Sequence, residues 1–101
     1  MARYHLCNAA ADDLRGIIEY TFEQWGEGQV HIYREHLEAK LDLIVKFPEI
    51  GRTNANLPDH IYYVVEGMHY IFYKNVDDGI EVLRFLDVRM DVMRHLREYL
   101  Q

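Results

Sequence analysis

The residues able to carry chemistry are few and scattered. Of the six histidines, His31 and His36 lie five apart and leave a helix in different directions, and no HxxxH or HExxH spacing occurs, so no helical zinc site is encoded. Cys7 is the only cysteine; it has no CxxC partner and no internal disulfide to form, and beside Leu6 it reads as a small buried hydrophobe rather than a nucleophile. Serine is absent, Thr21 and Thr53 have no motif around them, and neither a phosphate-cradling glycine loop nor a nucleophile elbow is present. Acid-base work remains. A metal-free site that cleaves RNA would need cations around the phosphorane and a base for the 2′-hydroxyl, and the strand-like segments offer His60, His69, Lys74 and Arg84. Their alternation does not cluster them, and the competing reading makes His69 and Arg84 partly buried polar residues satisfied by neighbours. The sequence thus presents no catalytic constellation, no metal ligand set and no cofactor motif.

A different kind of site is suggested near the C-terminus. Arg84, Arg89, Arg94, Arg97 and His95 face only Asp87 and Asp91, in a chain that as a whole carries 17 acidic against 11 basic residues for a net charge of −6. That balance disfavours general binding of nucleic acid phosphates. The positive window has two readings: a solvated helix end whose arginines complement the helix dipole, or a mixed cationic and apolar surface, with Met90 and Met93, suited to an acidic amphipathic segment of another protein.

The elements that must position these residues follow from periodicity. With 101 residues, half of them hydrophobic, and only six glycines and two prolines, the chain suits one folded domain with a single core. No run of about 18 apolar residues and no secretory leader can be read, and the unpaired cysteine suits a reducing cytosol. Ala2 to Cys7 reads as a short strand, followed by Asn8 as a helix N-cap with Asp12 and Asp13 in the first turn. Leu14, Ile17, Ile18, Phe22 and Trp25 form one helical face, which Gly26 ends with a left-handed stop. A second helix carries Val30, Tyr33, Leu37, Leu41 and Ile44 on one face and ends at Pro48. The short Gly26-Glu27-Gly28 link makes the two helices an antiparallel hairpin.

Glu49 to Asp59 reads as a loop. His60 to Glu66, Met68 to Asn75 and Ile80 to Val88 then read as a three-stranded antiparallel meander. Arg89 to Gln101 spaces Met90, Met93, Leu96 and Leu100 for a last helix. The order is β-α-α-β-β-β-α, an α+β domain with a helical hairpin packed on a mostly antiparallel sheet. Both alternating residue sets of the last two strands are apolar, so the second sheet face needs a cover, either the C-terminal helix or another molecule.

This arrangement resembles the ParE toxins of the RelE/ParE toxin-antitoxin superfamily. The resemblance is carried by Ala11-Asp12-Asp13-Leu14 with Ile17 and Tyr20, by Trp25-Gly26-Glu27-Gly28-Gln29 with Tyr33, and by Phe47-Pro48-Glu49-Ile50-Gly51-Arg52. It continues in Gly67-Met68-His69-Tyr70-Ile71-Phe72-Tyr73, in Gly79-Ile80-Glu81-Val82-Leu83-Arg84-Phe85-Leu86, and in Arg89-Met90-Asp91 ahead of His95-Leu96. The pattern differs from many members at Tyr62, Met68 and Asp87. The resemblance implies a bacterial, cytoplasmic, non-enzymatic toxin that inhibits DNA gyrase, needs no cofactor, binds no specific nucleic acid directly, and is neutralised by a ParD-like antitoxin. A homodimer or a hetero-oligomer with the antitoxin would fit it.

On that reading Tyr62, Tyr70, Arg84, Arg89, Met90, Met93 and Arg94 are expected to bind the antitoxin, the arginines pairing with its acids. Arg89, Met90, His95 and Arg97 are expected to meet the target. The alternatives are a RelE-like ribosome-dependent messenger RNA endonuclease, whose relatives look strongly basic where this chain is acidic, and a degenerate toxin that retains only antitoxin binding.

Overall fold

The computed structural model describes residues 3–100. Strand β1 (Arg3–Leu6) leads into helix α1 (Asn8–Trp25) and helix α2 (Glu27–Lys46), and a 3-10 turn over Pro48–Ile50 follows. Strands β2 (Ile61–Glu66), β3 (His69–Val76) and β4 (Gly79–Asp87) precede a 3-10 turn over Val92–Arg94 and a short helix α3 (Leu96–Tyr99). The expected positions of Ala2 at the start of the first strand and Gln101 at the end of the last helix lie outside the described residues. The sheet runs β1-β4-β3-β2: the meander is antiparallel, and β1 joins its edge parallel to β4. A parallel neighbour needs a crossover, and here the helical hairpin lies within it. The α+β architecture is the expected one.

Gly79 allows β1 to close on β4. It pairs with Arg3 at φ 147°, and a Cβ there would collide with the Arg3 carbonyl, so a glycine is required on both counts.

Helix α1 ends at Trp25 before Gly26 as expected, but its first cap residue and the conformation of its stop differ from expectation. Cys7, not Asn8, precedes the first helical turn, with extended backbone at φ −68° and ψ 169°, and no side chain caps the helix. Its thiol instead donates to the Leu83 carbonyl at 3.2 Å. The first turn holds no acid, because Asp13 lies further along and is turned towards β4. At the other end the joint is Gly26 alone. Its N–H donates to Phe22 at 2.9 Å and its carbonyl accepts from Val30 at 3.3 Å, so it closes one helix and opens the next. Its φ of 85° with ψ of −179° is an extended positive-φ conformation open to glycine, not the left-handed helical stop expected.

Two cores sandwich the sheet. Leu37, Leu41 and Ile44 of α2 and Ala10 of α1 pack on Val64, Ile71, Tyr73, Ile80, Val82 and Phe85. On the opposite face Leu57, Val92 and Leu96 cover Phe72 and Leu86. The two-sided apolar character of β4 arises partly from a bulge: Phe72 pairs with Arg84 while the next residue, Tyr73, pairs with Val82, leaving Leu83 extra. The inserted residue shifts the alternation, so that Ile80, Val82 and Phe85 all serve the helical core.

The C-terminal segment is the main departure from expectation. A continuous helix over 89–101 is replaced by a turn in which the Met90 N–H donates to the Asp87 carbonyl at 3.1 Å. Asp91 then takes a left-handed conformation at φ 48°, which a short acceptor side chain tolerates, before the 3-10 turn and α3. This path points Val92 and Leu96 into the second core, 1% and 3% exposed, with Met93 and Leu100 at its margin. Met90, expected on the buried stripe, is exposed.

Candidate functional site

A groove of about 990 Å³ opens between the helical hairpin and one end of the sheet. One wall is the α1 stripe Asp13, Ile17, Tyr20, Thr21 and Trp25, which recurs at three- and four-residue steps along one helix side, with Tyr20 and Thr21 adjacent, and the α2 positions Gln29, Ile32, Tyr33 and His36 continue it. The floor and far wall come from the β2–β3 turn with Met68 and His69, the end of β4 from Arg84 to Asp87, and then Arg89, Met90 and Tyr99. Tyr20, Trp25, Ile32, Met68 and Met90 are all exposed here. Thr21 turns its hydroxyl back to the Ile17 carbonyl at 2.7 Å, which removes one polar group from the wall. Contiguous exposed apolar surface of this kind marks an interaction site.

Two arginines border the groove, and each is bonded within the chain. Arg84 grips Asp13 through Nε to Oδ2 at 2.6 Å and Nη2 to Oδ1 at 2.9 Å, and donates from Nη1 to the Tyr99 carbonyl at 3.1 Å. Its guanidinium stacks over the Tyr99 ring at 5.6 Å. The same carboxylate accepts the Phe85 backbone N–H at 3.1 Å, on β4 beyond the last β1 partner, Val82. Hydrogen bonding to Asp13 raises the Arg84 pKa further. Arg89 holds Asp87 in a fork of 2.9 and 2.6 Å. That fork, helped by the Arg89 backbone N–H, draws the Asp87 carboxyl down to about 2. The reading of Arg84 as a polar residue satisfied by its neighbours therefore describes its place in the fold.

Two polar atoms at the groove have no such partner. Tyr33 Oη and His69 Nδ1 are buried without a hydrogen bond, and the two rings meet edge to face at 5.9 Å and 72°. Burial, then the Glu66 charge, pushes the Tyr33 hydroxyl up to about 12, and burial lowers the His69 pKa.

The residues singled out from sequence separate in space. Arg84, Arg89 and Met90 line the groove. Tyr70 and Met93 belong to the second core. Tyr62 pairs with Tyr73 in the β2–β3 ladder and packs against the helical core, so it lies on the opposite sheet face from Tyr70. Arg94 is exposed and bonded to Asp91 at 3.4 Å, His95 is 3.6 Å from Glu98, and Arg97 is exposed on α3. Seven residues expected on one surface thus occupy three places. Lys74 is 3.6 Å from Glu81, which occupies a second cation from the strand set. Among the described residues no group of three or more His, Cys, Asp or Glu is placed to hold a metal ion.

Sequence reasoning missed the aromatic wall. Phe22 and Trp25 continue the apolar face of Leu14 and Ile17 in the sequence, yet they are 58% and 71% exposed, Trp25 lining the groove and Phe22 lying outside it, and Ala10 is the one buried residue of that helix. The helical period alone does not separate the two: Ala10 in the first turn is buried while Tyr20, Phe22 and Trp25 near the hairpin joint are exposed.

Residues 4–92 match the family model described as the ParE toxin of type II toxin-antitoxin system, parDE. Toxin ParE1 of Mycobacterium tuberculosis is 34% identical over 96 residues, covering 94% of this chain and 98% of the relative. Toxin ParE1 of Caulobacter vibrioides is 31% identical, covering 95% and 99%. The solved structure of the chromosomal ParDE TA system from P. aeruginosa superimposes with a TM-score of 0.69 at 12% identity, over 86% of this chain and 96% of that one, a likeness of fold. The chain belongs to the ParE toxin family of type II toxin-antitoxin systems.

Proposed function

We propose that this chain is a toxin that acts by binding: it inhibits DNA gyrase, and a ParD-like antitoxin neutralises it by seating a segment in the groove between the hairpin and the sheet end. The observation that carries the reading is the groove itself, about 990 Å³ and walled by exposed Tyr20, Trp25, Ile32, Met68 and Met90. Large aromatics and methionines are the residues that anchor protein partners. Arg84 and Lys74, the cations an RNA-cleaving site would draw on, are committed to Asp13 and Glu81, which supports binding over phosphoryl chemistry.

Within this reading Arg84, Arg89 and Met90 form the groove side of the antitoxin site. Tyr70, Met93 and Arg94 lie on the opposite, C-terminal side, where a wrapping antitoxin could reach them, while exposed His95 and Arg97 are left to meet the target. Antitoxin acids that pair with Arg84 or Arg89 must share them with Asp13 or Asp87. A charge reversal at Arg84 would therefore damage the fold as well as the surface, and Trp25 is the better probe. Unopposed expression of the chain is expected to arrest growth, and co-expression of its antitoxin to restore it. Trp25→Glu is expected to keep the arrest and to lose the rescue, with antitoxin affinity falling at least tenfold. Full rescue of Trp25→Glu would exclude the groove as the antitoxin site.

A further inference from the structure

A second group of exposed apolar residues lies outside the groove: Leu43, Phe47, Ile50 and Val65. The Phe47 N–H donates to the Leu43 carbonyl and the Ile50 N–H to the Phe47 carbonyl, so the first three follow one another at single-turn steps. Ile50 and Val65 share a cleft of about 390 Å³ with Lys40 and Arg52, beside β2 at the edge of the sheet. Lys40, Leu43 and Phe47 recur at three- and four-residue steps and so continue one side of α2.

The cations of this patch are uncommitted. Among the described residues, ion pairs engage Arg3, Arg15, Lys74, Arg84, Arg89 and Arg94, whereas Lys40, Lys46 and Arg52 stand in none. Glu38 and Asp42 of the same helix act on Tyr4 of β1, at the other edge of the sheet. Glu49 is the acid of the turn over Pro48–Ile50, set against three cations. In a chain of net charge −6 this surface is locally positive as well as apolar, and complementary to an acidic protein segment. A phosphate backbone would match the cations and leave the four apolar side chains without a partner, so the mixture favours protein over nucleic acid.

The patch adjoins the groove and shares none of its residues. His36 of the groove precedes Lys40 by about one turn of α2, and Glu66 of the groove follows Val65 in β2. A segment that fills the groove therefore ends close enough to the patch to obstruct a second protein there.

We propose that the protein target docks on this patch: an acidic, amphipathic segment of the target lays its apolar side on Phe47, Ile50 and Val65 and its carboxylates on Lys40, Lys46 and Arg52. The proposal rests on the chain being a toxin whose groove takes the antitoxin, and it makes neutralisation the obstruction of a neighbouring surface. It adds apolar contact to the charge that His95 and Arg97 offer the target.

The test pairs growth arrest on unopposed expression with calorimetric titration of the purified full-length toxin by the antitoxin whose co-expression restores growth. Lys46 and Arg52 are both exposed. Lys46→Glu combined with Arg52→Glu is expected to remain folded in thermal unfolding and to keep antitoxin affinity, while growth arrest is lost. Lys46→Gln with Arg52→Gln, which puts no negative charge at the end of α2, is expected to weaken arrest to a lesser degree, and it decides the matter if the reversed pair unfolds. The pattern is the opposite of that expected for Trp25→Glu, which keeps arrest and loses the antitoxin. Full arrest by both charge variants overturns the proposal. Loss of antitoxin affinity along with arrest also overturns it, by assigning the patch to the antitoxin. Duplex DNA or RNA retarded by the parent and not by the variants would assign the cations to phosphates. A parent dimer in sedimentation that the variants dissolve, with arrest unchanged, would assign the patch to a second copy; either result overturns the proposal. A parent chain that causes no arrest removes the toxin reading itself, and the proposal falls with it.

Discussion

Arg84 joins three parts of the molecule at one point. Its fork to Asp13 fixes α1 against β4, and its bond to the Tyr99 carbonyl ties α3 to the same place. The residue type was readable, but the sequence leaves open whether Arg84 is a surface cation or one satisfied within the chain. The partner was not readable, because 71 residues separate Asp13 from Arg84 and a lone sequence gives Asp13 a local role at the helix start. The Arg89–Asp87 fork makes a cleaner prediction, since it links the last residue of β4 to an exposed arginine two residues on and joins no distant parts of the fold. The Asp87 carboxyl, lowered from 3.8 to about 2, is ionised in the folded state at a pH where the unfolded chain is already protonated. Its stabilising contribution is therefore complete above about pH 4 and lost as the pH falls through about 2. NMR titration of Asp87 is expected to follow this, and Arg89→Ala to return its pKa towards 3.8. An Asp87 pKa that stays near 2 in Arg89→Ala would assign the shift to the backbone and His69 instead.

Among the elements, those fixed by strong periodicity stand where the sequence placed them: the two long helices, the meander and its turns. The ambiguous element was the last. Met90, Met93, Leu96 and Leu100 satisfy a helical repeat, but the chain turns at Met90, takes a left-handed conformation at Asp91, and buries Val92 and Leu96, rather than the Met90 stripe, over Phe72 and Leu86. The tertiary demand prevails over the local pattern, as it often does in short segments. This yields a test that separates the two arrangements. Leu96→Ala is expected to lose about 2 kcal/mol or more of stability, as burial of a leucine implies, and Val92→Ala to cost about 1 kcal/mol or more. Met90→Ala should fall within about 0.5 kcal/mol of the parent, as exposed sites do. Denaturant unfolding measures all three, and a Met90→Ala loss as large as that of Leu96→Ala would favour the continuous helix. The bulge at Leu83 escaped the sequence for a similar reason: an inserted residue changes which side chains share a face without changing composition.

At the scale of the whole molecule, an acidic chain gathers exposed Tyr20, Trp25, Ile32, Met68 and Met90 in one groove and holds several of its cations in internal ion pairs. Among the described residues no helix is long and apolar enough to cross a membrane. The family was legible because it depends on the order and spacing of many short motifs along nearly the whole chain. The site was only half legible: Arg84, Arg89 and Met90 converge on the groove, but Trp25, Ile32 and Tyr33 come from helices whose exposed and buried aromatics share one periodicity. The proposed activity is inhibition of a protein target by binding, without chemistry of the toxin's own. The most direct test is supercoiling of relaxed plasmid by purified gyrase with ATP and increasing amounts of this protein, scoring supercoiled product and linear DNA. The account predicts loss of supercoiling with accumulation of linear DNA, reversed by the antitoxin; unimpaired supercoiling at micromolar toxin would contradict it.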